Sequence, residues 1–146
     1  MGFKCGNVGL LIGPDGTFMI DDQFAPLTGK LLSAMKELGG DTPRFVINTH
    51  YHHDHTGGNE NLGKLGVTIV SHDNVRKKLA EGATIKAFNK VIPPAQKTAV
   101  RVLTFAEEMT LHLNGQPVHV FHSNDAHTDG DDMIHFREAN IIHAGY

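Results

Sequence analysis

The sequence predicts one α/β domain in which a mixed β-sheet is flanked by helices. Its 146 residues fit a single domain of roughly 100–200 residues. Apolar strands alternate with amphipathic helices in the first half of the chain, and short strands follow one another in the second half. A hydrophobic content of 40% excludes a disordered chain. No apolar run approaches the roughly 18 residues of a membrane-spanning helix.

The chain begins with a predicted β-hairpin. Residues 8–12 and 17–20 are apolar runs separated by Gly13-Pro14-Asp15-Gly16, and Pro and Gly are typical turn residues. The polar pair Asp21-Asp22 ends the second strand. From Pro26 to Leu38, apolar side chains recur at spacings of three and four, which predicts an amphipathic helix that ends at Gly39-Gly40.

A buried strand, residues 44–48, leads directly into a loop rich in histidine, residues 50–55. Further predicted elements follow. They are a short helix from Asn59 to Leu65, a strand from Val67 to Val70, and a helix from Asp73 to Ala80 with Asp73 as its N-cap. For residues 84–97 the sequence does not distinguish a loop from a partial helix.

The second half of the chain predicts an antiparallel arrangement of strands. Asn114-Gly115 is a hairpin signal, and no internal repeat or linker interrupts the chain. We therefore treat residues 1–146 as one domain. The predicted strands are residues 100–105, 109–113, 118–121, 133–136 and 141–143.

The unusual feature of the composition is its 11 histidines, and they concentrate in His50-Tyr51-His52-His53-Asp54-His55. In extended backbone, residues two apart face the same way, so His50 and His52 can bind one ion together. Asp54 and His55 follow where the chain turns and can point to a second position. Imidazole and carboxylate ligands without thiolate suit Zn²⁺, with Mn²⁺ and Fe²⁺ as less specific alternatives.

The pattern His50-x-His52-x-Asp54-His55 resembles the H-x-H-x-D-H signature of the metallo-β-lactamase superfamily of metallohydrolases. The predicted hairpin ending in Asp21, the helix, the strand and the histidine loop also occur in the order typical of that superfamily. A downstream H-T-x-G-D context is present as residues 127–131. The resemblance implies an αββα sandwich.

The resemblance also implies a ligand set. His50, His52 and His127 would hold a first metal, and Asp54 and His55 a second one. Asp54 would orient a hydroxide held by the metal, which attacks an ester, thioester, lactam or related centre. The implied cofactor is one or two Zn²⁺ ions.

The sequence departs from the superfamily pattern near its end. The run Asn140 to Gly145 corresponds to a strand that normally leads to a bridging Asp, but Tyr146 follows, and the segment of the last His ligand is absent. We expect an incomplete sandwich that lacks its C-terminal part. A sheet covered by helices on one side leaves the other face bare, so we expect a homo-oligomer formed through that face.

Three further residues are candidates for supporting the ligands. Asp21 can accept a hydrogen bond from a ligand imidazole, or it can simply end a strand. His72 can line the crevice or cap the turn before its helix. His122 can support His127, or it can be an ordinary histidine at a strand end.

The sequence therefore predicts a zinc-dependent hydrolase acting on a small-molecule substrate. The alternative is a truncated metal-binding fragment without catalytic activity. A net charge of −3 with scattered lysines gives no nucleic-acid stripe and no polybasic membrane anchor. The single Cys5 forbids an intramolecular disulfide and is interpreted as a bystander thiol. Without a signal peptide we expect a cytoplasmic protein, or a periplasmic or secreted one if a leader has been removed.

Overall fold

Two stacked β-sheets form the centre of the protein. The computed structural model describes residues 6–85, 89–100 and 102–145, so Cys5 and Tyr146 lie outside the described residues. The first sheet has the strand order β1-β2-β3-β4-β7, and the second has the order β11-β10-β9-β8. The strands of the first sheet are β1 (Gly9–Gly13), β2 (Gly16–Ile20), β3 (Phe45–Asn48), β4 (Thr68–His72) and β7 (Val102–Phe105).

The remaining elements complete both layers. The second sheet consists of β8 (Glu108–Leu113), β9 (Gln116–His122), β10 (Asp132–Phe136) and β11 (Ile141–His143). The helices are α1 (Thr28–Glu37), α2 (His53–Thr56), α3 (Asn59–Lys64) and α4 (Asp73–Glu81), and a separate hairpin joins β5 (Ala83–Ile85) to β6 (Lys90–Ile92).

The register of the first sheet decides where functional side chains meet. Strands β2, β3, β4 and β7 are parallel, with Ile20 opposite Ile47 and Ile47 opposite Val70. The carboxyl ends of parallel strands therefore lie at one edge, where the residues after β2 and β3 are neighbours. Strand β1 pairs with β2 in antiparallel register, as the hairpin signal predicts.

Each face of the first sheet packs against a different layer. One face contributes Met19, Val46 and Ile69 to a core shared with Met35 of α1 and Leu62 of α3. The opposite face packs on the second sheet. That inter-sheet core contains Phe18, Ile20, Ile47, Val70, Phe105, Leu113, Val118, Val120 and Ile134.

This packing corrects the prediction that the helix-covered sheet leaves its other face bare, because the second sheet covers that face. Alternation along β9 and β10 places Val118, Val120 and Ile134 inward, so their neighbours point outward. We call these outward residues the outer face of the second sheet. Its members are Thr110, His119, Phe121, Met133, His135 and Ile142.

Several local predictions need correction. A 3₁₀ turn over Ala25–Leu27 precedes α1, because Pro26 suits the first turn of a helix. The open segment 84–97 contains most of the β5–β6 hairpin. The N-cap of α4 is His72 rather than Asp73, since the His72 Nδ1 accepts a hydrogen bond from the Asn74 backbone N–H at 3.2 Å. Among the described residues, no helix is long and apolar enough to cross a bilayer.

Candidate metal centre

The histidine loop begins directly after β3 at the carboxyl edge of the first sheet. His50 is buried and His52 is half-buried. The extended conformation ends at His52, the N-cap of α2, so the predicted loop 50–55 is helical from His53 onward. The short helix brings the buried His55 against Asp21, while His53 is exposed.

Three imidazoles converge at this edge. One ring nitrogen from each of His50, His52 and His127 lies within 4.8 Å of the others. The His127 Nε2 is 3.0 Å from the His52 Nδ1, and the ring centroids of His50 and His127 are 5.2 Å apart. His127 lies on the loop between β9 and β10, so the two sheets contribute to one cluster. Three nitrogen donors at this spacing fit a tetrahedral ion with one open position.

The residue before the loop orients the first imidazole. Thr49 donates its backbone N–H and its hydroxyl to the two oxygens of Asp21, both at 2.8 Å. The Thr49 Oγ1 is also 3.1 Å from the His50 Nδ1. Because the hydroxyl hydrogen goes to Asp21, the His50 Nδ1–H must donate to Thr49. The His50 Nε2 therefore keeps a lone pair for a metal.

Asp54 and His55 form a second pair beside the trio. The His55 Nε2 lies 3.5 Å from the Asp54 Oδ2, and the His55 ring centroid is 4.0 Å from that of His50. The buried Asp21 accepts a hydrogen bond from the His55 Nδ1 at 2.7 Å, so the Nε2 is the nitrogen that faces Asp54. Asp21 thus contacts His55 directly and reaches His50 through Thr49.

The loop that carries His127 is organised by Asp131. One carboxylate oxygen of Asp131 accepts the His127 N–H at 2.7 Å, and the other accepts the N–H and hydroxyl of Thr128. The next residue ties the sheets together, because the Asp132 N–H donates to the Thr49 carbonyl at 2.8 Å. The two ligand-bearing segments are therefore joined through their backbones.

His72 and His122 stack on one another rather than on the trio. Their ring centroids are 3.9 Å apart and their planes differ by 13°. His72 caps α4 and hydrogen bonds to the Ala106 carbonyl through its Nε2, while the His122 Nδ1 donates to the Asp131 carbonyl. Both rings line a separate cavity of about 710 Å³. The contacts of His72 are those of a residue that caps the turn before its helix. His122 contacts the His127 loop through Asp131.

Burial sets the charge state of the cluster. Burial, followed by the nearby His55, His52 and His127, lowers the pKa of His50 to about 2, so this ring is neutral. Burial and His127 also lower the pKa of His52. Burial alone would lower the pKa of His55, but the hydrogen bond and charge of Asp21 raise it overall. Burial raises the pKa of Asp132 to about 8.

Sequence reasoning left several of these residues without a role. Thr49, Asp132 and Asn74 carry no motif of their own, and their contacts join residues far apart in the chain. Asp131 was visible as the last residue of the H-T-x-G-D context. That motif was the only available signal for the residue that holds the His127 backbone.

Comparison with known proteins shows the family to which the chain belongs. The profile of the metallo-beta-lactamase superfamily matches residues 2–145. The chain belongs to this superfamily.

Solved metallo-β-lactamases share the fold. The subclass B3 enzyme MEM-A1 from a soil metagenome library aligns with a TM-score of 0.76 at 22% identity, over 91% of this chain and 52% of that chain. A metallo-β-lactamase from Pontibacter korlensis aligns with a TM-score of 0.74 at 23% identity, over 92% and 57%. The metallo-β-lactamase MIM-1 from Novosphingobium pentaromativorans gives 0.71 and 25%, over 92% and 52%. The chain therefore spans about half the length of these structures.

Proposed function

We propose that this superfamily member is a zinc-dependent hydrolase that acts on an ester, thioester, lactam or related small molecule. The observation that carries the proposal is the convergence of His50, His52 and His127 within 4.8 Å. Neutral, lone-pair-bearing imidazoles are good zinc ligands, and the buried His50 is neutral because its pKa is lowered to about 2. The residues present therefore fit a zinc ion.

The second position would be held by Asp54 and His55. Their facing atoms are 3.5 Å apart, and the His55 ring lies against His50, so this pair borders the trio. Mn²⁺ and Fe²⁺ accept the same nitrogen and oxygen donors and remain alternatives to Zn²⁺. The pair alone gives two protein ligands, which predicts weaker binding than at the trio.

Each residue of the centre then has a distinct task. When bound, zinc would lower the pKa of a bound water to about 7 and polarise the bond under attack. Asp21 and Thr49 hold the His50 ring in the tautomer that carries its proton on Nδ1. Asp54 is one-third exposed at the same edge, where its carboxylate can accept a hydrogen bond from the attacking water and orient it. The exposed His127 lies at the open side of the trio, from which a substrate would enter.

A metal-binding fragment without catalytic activity is the second candidate. The chain covers 52% of MEM-A1, and Asp54 and His55 are the two described donors at the second position. A fragment of this kind would bind one zinc ion at the trio and turn over no substrate.

Zinc stoichiometry and hydrolysis, measured on the same samples, test the proposal. We expect up to two zinc ions per chain and zinc-dependent hydrolysis of a generic ester or a β-lactam by the wild type. His52→Ala should lose tight binding at the first site and all turnover, because a three-nitrogen site becomes a two-nitrogen one. Asp54→Asn should keep the first zinc ion but lose the second and most of the turnover.

His53→Ala provides the matched control, since it removes an exposed imidazole from the same loop. It should leave zinc stoichiometry and turnover unchanged. One zinc ion without turnover in the wild type would favour the fragment. Unchanged zinc binding in His52→Ala would contradict the assigned ligand set, as would loss of all zinc from Asp54→Asn.

A further inference from the structure

We propose that the first turns of helix α4 form a seat that positions His127, with Asn74 and Val75 as the positioning residues. The α4 seat consists of Asn74, Val75 and Lys78. All three face the segment Asp129-Gly130, which lies between His127 and strand β10. This inference rests on the proposed function, because it assigns a purpose to residues that touch neither a metal nor a substrate.

Asn74 holds the loop by a hydrogen bond to its backbone. Its side-chain Nδ2 donates to the Asp129 carbonyl at 2.5 Å. The Asn74 backbone N–H is already used by the His72 cap, so the capping of α4 and the contact with the loop use different groups of this residue. A substitution of the Asn74 side chain can therefore break the loop contact while leaving the cap in place.

Gly130 allows the loop to lie directly on the helix. A Cβ atom at this position would be 2.9 Å from the Val75 Cγ2 and 3.1 Å from the Val75 backbone nitrogen. Val75 is fully buried at 0% exposure, so neither its side chain nor the helix backbone has space to retreat. Any larger residue at position 130 would lift the loop from the α4 seat.

Lys78 makes the weakest of the three contacts. Its Nζ is 3.2 Å from the Asp129 Oδ2, but the two side chains are 36% and 54% exposed. Exposed ion pairs of this kind contribute little because water screens them. The Asn74 hydrogen bond and the packing of Gly130 on Val75 should therefore determine the position of the loop.

A displaced loop would reach the ligand trio through Asp131. Asp131 follows Gly130, and its carboxylate accepts the His127 N–H at 2.7 Å. The His127 Nε2 lies 3.0 Å from the His52 Nδ1, and metal–ligand distances tolerate only about 0.2 Å. A shift of the Asp129-Gly130 segment by a fraction of an ångström would thus move the His127 imidazole away from the other two imidazoles of the trio.

Zinc affinity of the purified full chain, measured by competition with a chromogenic chelator, tests this inference. Asn74→Asp is nearly isosteric and removes the donor to the Asp129 carbonyl. A carboxylate in the first turn also favours the helix, which offsets part of the lost contact, so the apo protein should stay folded. We expect zinc affinity at the first site to fall about tenfold, as is typical when the support of a ligand is removed.

Gly130→Ala should weaken zinc binding at least as much. Gly29→Ala is its matched control, because nothing lies within 4 Å of a Cβ at that helical position. Gly29→Ala should keep wild-type affinity. If Gly130→Ala fails to fold, Asn74→Asp still decides the question.

Wild-type zinc affinity in Asn74→Asp would overturn the α4 seat while leaving the proposed function intact. An equal loss of affinity in Gly29→Ala would overturn it as well, because the effect would not depend on the seat. A wild-type chain that binds no zinc would overturn both proposals.

Discussion

Asp132 is a buried carboxyl group that the fold accommodates in its neutral form. It is 1% exposed, its Oδ2 accepts the His72 N–H at 3.2 Å, and its Oδ1 accepts no hydrogen bond from the described residues, the His122 Nδ1 being 3.9 Å away. Burial, the largest influence, raises its pKa to about 8, so the native state holds a proton that the unfolded state releases near pH 4. The native state therefore loses stability as the pH rises from about 4 to about 8.

Asp132→Asn should remove this pH dependence. The amide has the same shape and stays neutral, and its oxygen can accept the same N–H. Between pH 4 and pH 8 we expect the free energy of unfolding of the variant to rise relative to that of the wild type, by at most about 1.4 kcal/mol per pH unit. Urea unfolding at pH 5, 7 and 9 measures the difference. A constant difference across this range would show that Asp132 is ionised in the native state.

At the scale of single residues, the candidate ligands could be named from the sequence, and so could Asp21 as a support for one of them, whereas the other supporting contacts could not. All five candidate ligands stand in two short contiguous motifs, so their residue types and spacing are visible in the sequence. The contacts of Thr49 with Asp21 and of Asn74 with Asp129 join residues 28 and 55 positions apart. Such pairs depend on how the layers pack, and no local pattern encodes that packing.

Two hairpin turns contact each other at the end of the sheets opposite the candidate metal centre. The Asn114 N–H donates to the Asp15 Oδ2 at 2.6 Å, and the Asn114 Oδ1 accepts the Asp15 N–H at 2.8 Å. The Asn114 Nδ2 adds a bond to the Gly16 carbonyl at 3.0 Å. Because β2 runs from Gly16 toward Asp21, this clasp between β1–β2 and β8–β9 lies away from the ligands.

Asn114→Ala should destabilise the fold without affecting the centre. It removes two side-chain hydrogen bonds and places alanine at φ 49°, so we expect a loss of roughly 1–3 kcal/mol in the free energy of unfolding. Asn114→Gly loses the same bonds but tolerates the positive φ, and should lose less. Urea unfolding and zinc titration provide the measurements. Altered zinc affinity in either variant would contradict the separation of clasp and centre.

Most of the predicted strands and helices lie within about two residues of their predicted bounds, whereas the β5–β6 hairpin was not predicted. Strand β3 and helices α3 and α4 begin and end within one or two residues of their predicted bounds. The β5–β6 hairpin has strands of three residues, too short for a period to show. The N-cap of α4 moved to His72 because an imidazole nitrogen can accept the N–H that Asp73 was expected to bind.

The whole molecule has helices on its first sheet, while the outer face of the second sheet is formed by half-exposed and exposed side chains such as Phe121, Met133 and Ile142. The sequence predicted a bare face on the helix-covered first sheet, whereas the structure has the uncovered face on the second sheet. The stacking of two sheets is not visible in the pattern of a single strand. Self-association through such a face stays a prediction.

Sedimentation at micromolar concentration tests it. We expect the wild type to sediment as a dimer or larger species, since apolar groups on an open sheet favour burial against another surface. Phe121→Lys should shift the population to monomers. Leu38→Lys places the same charge on an exposed leucine at the end of α1, far from this face, and should change nothing. A monomeric wild type would contradict the prediction.

The separation of His52 from His127 by 75 positions has a consequence for how the protein folds. These imidazoles meet only after both sheets have stacked, and contacts between distant segments form slowly because long loops must close first. A nascent or partly collapsed chain carries the first histidine motif but lacks its counterpart from the second layer. Tight binding of a cation would thus be possible only once folding is complete. Zinc would then stabilise the folded chain and would not direct its folding.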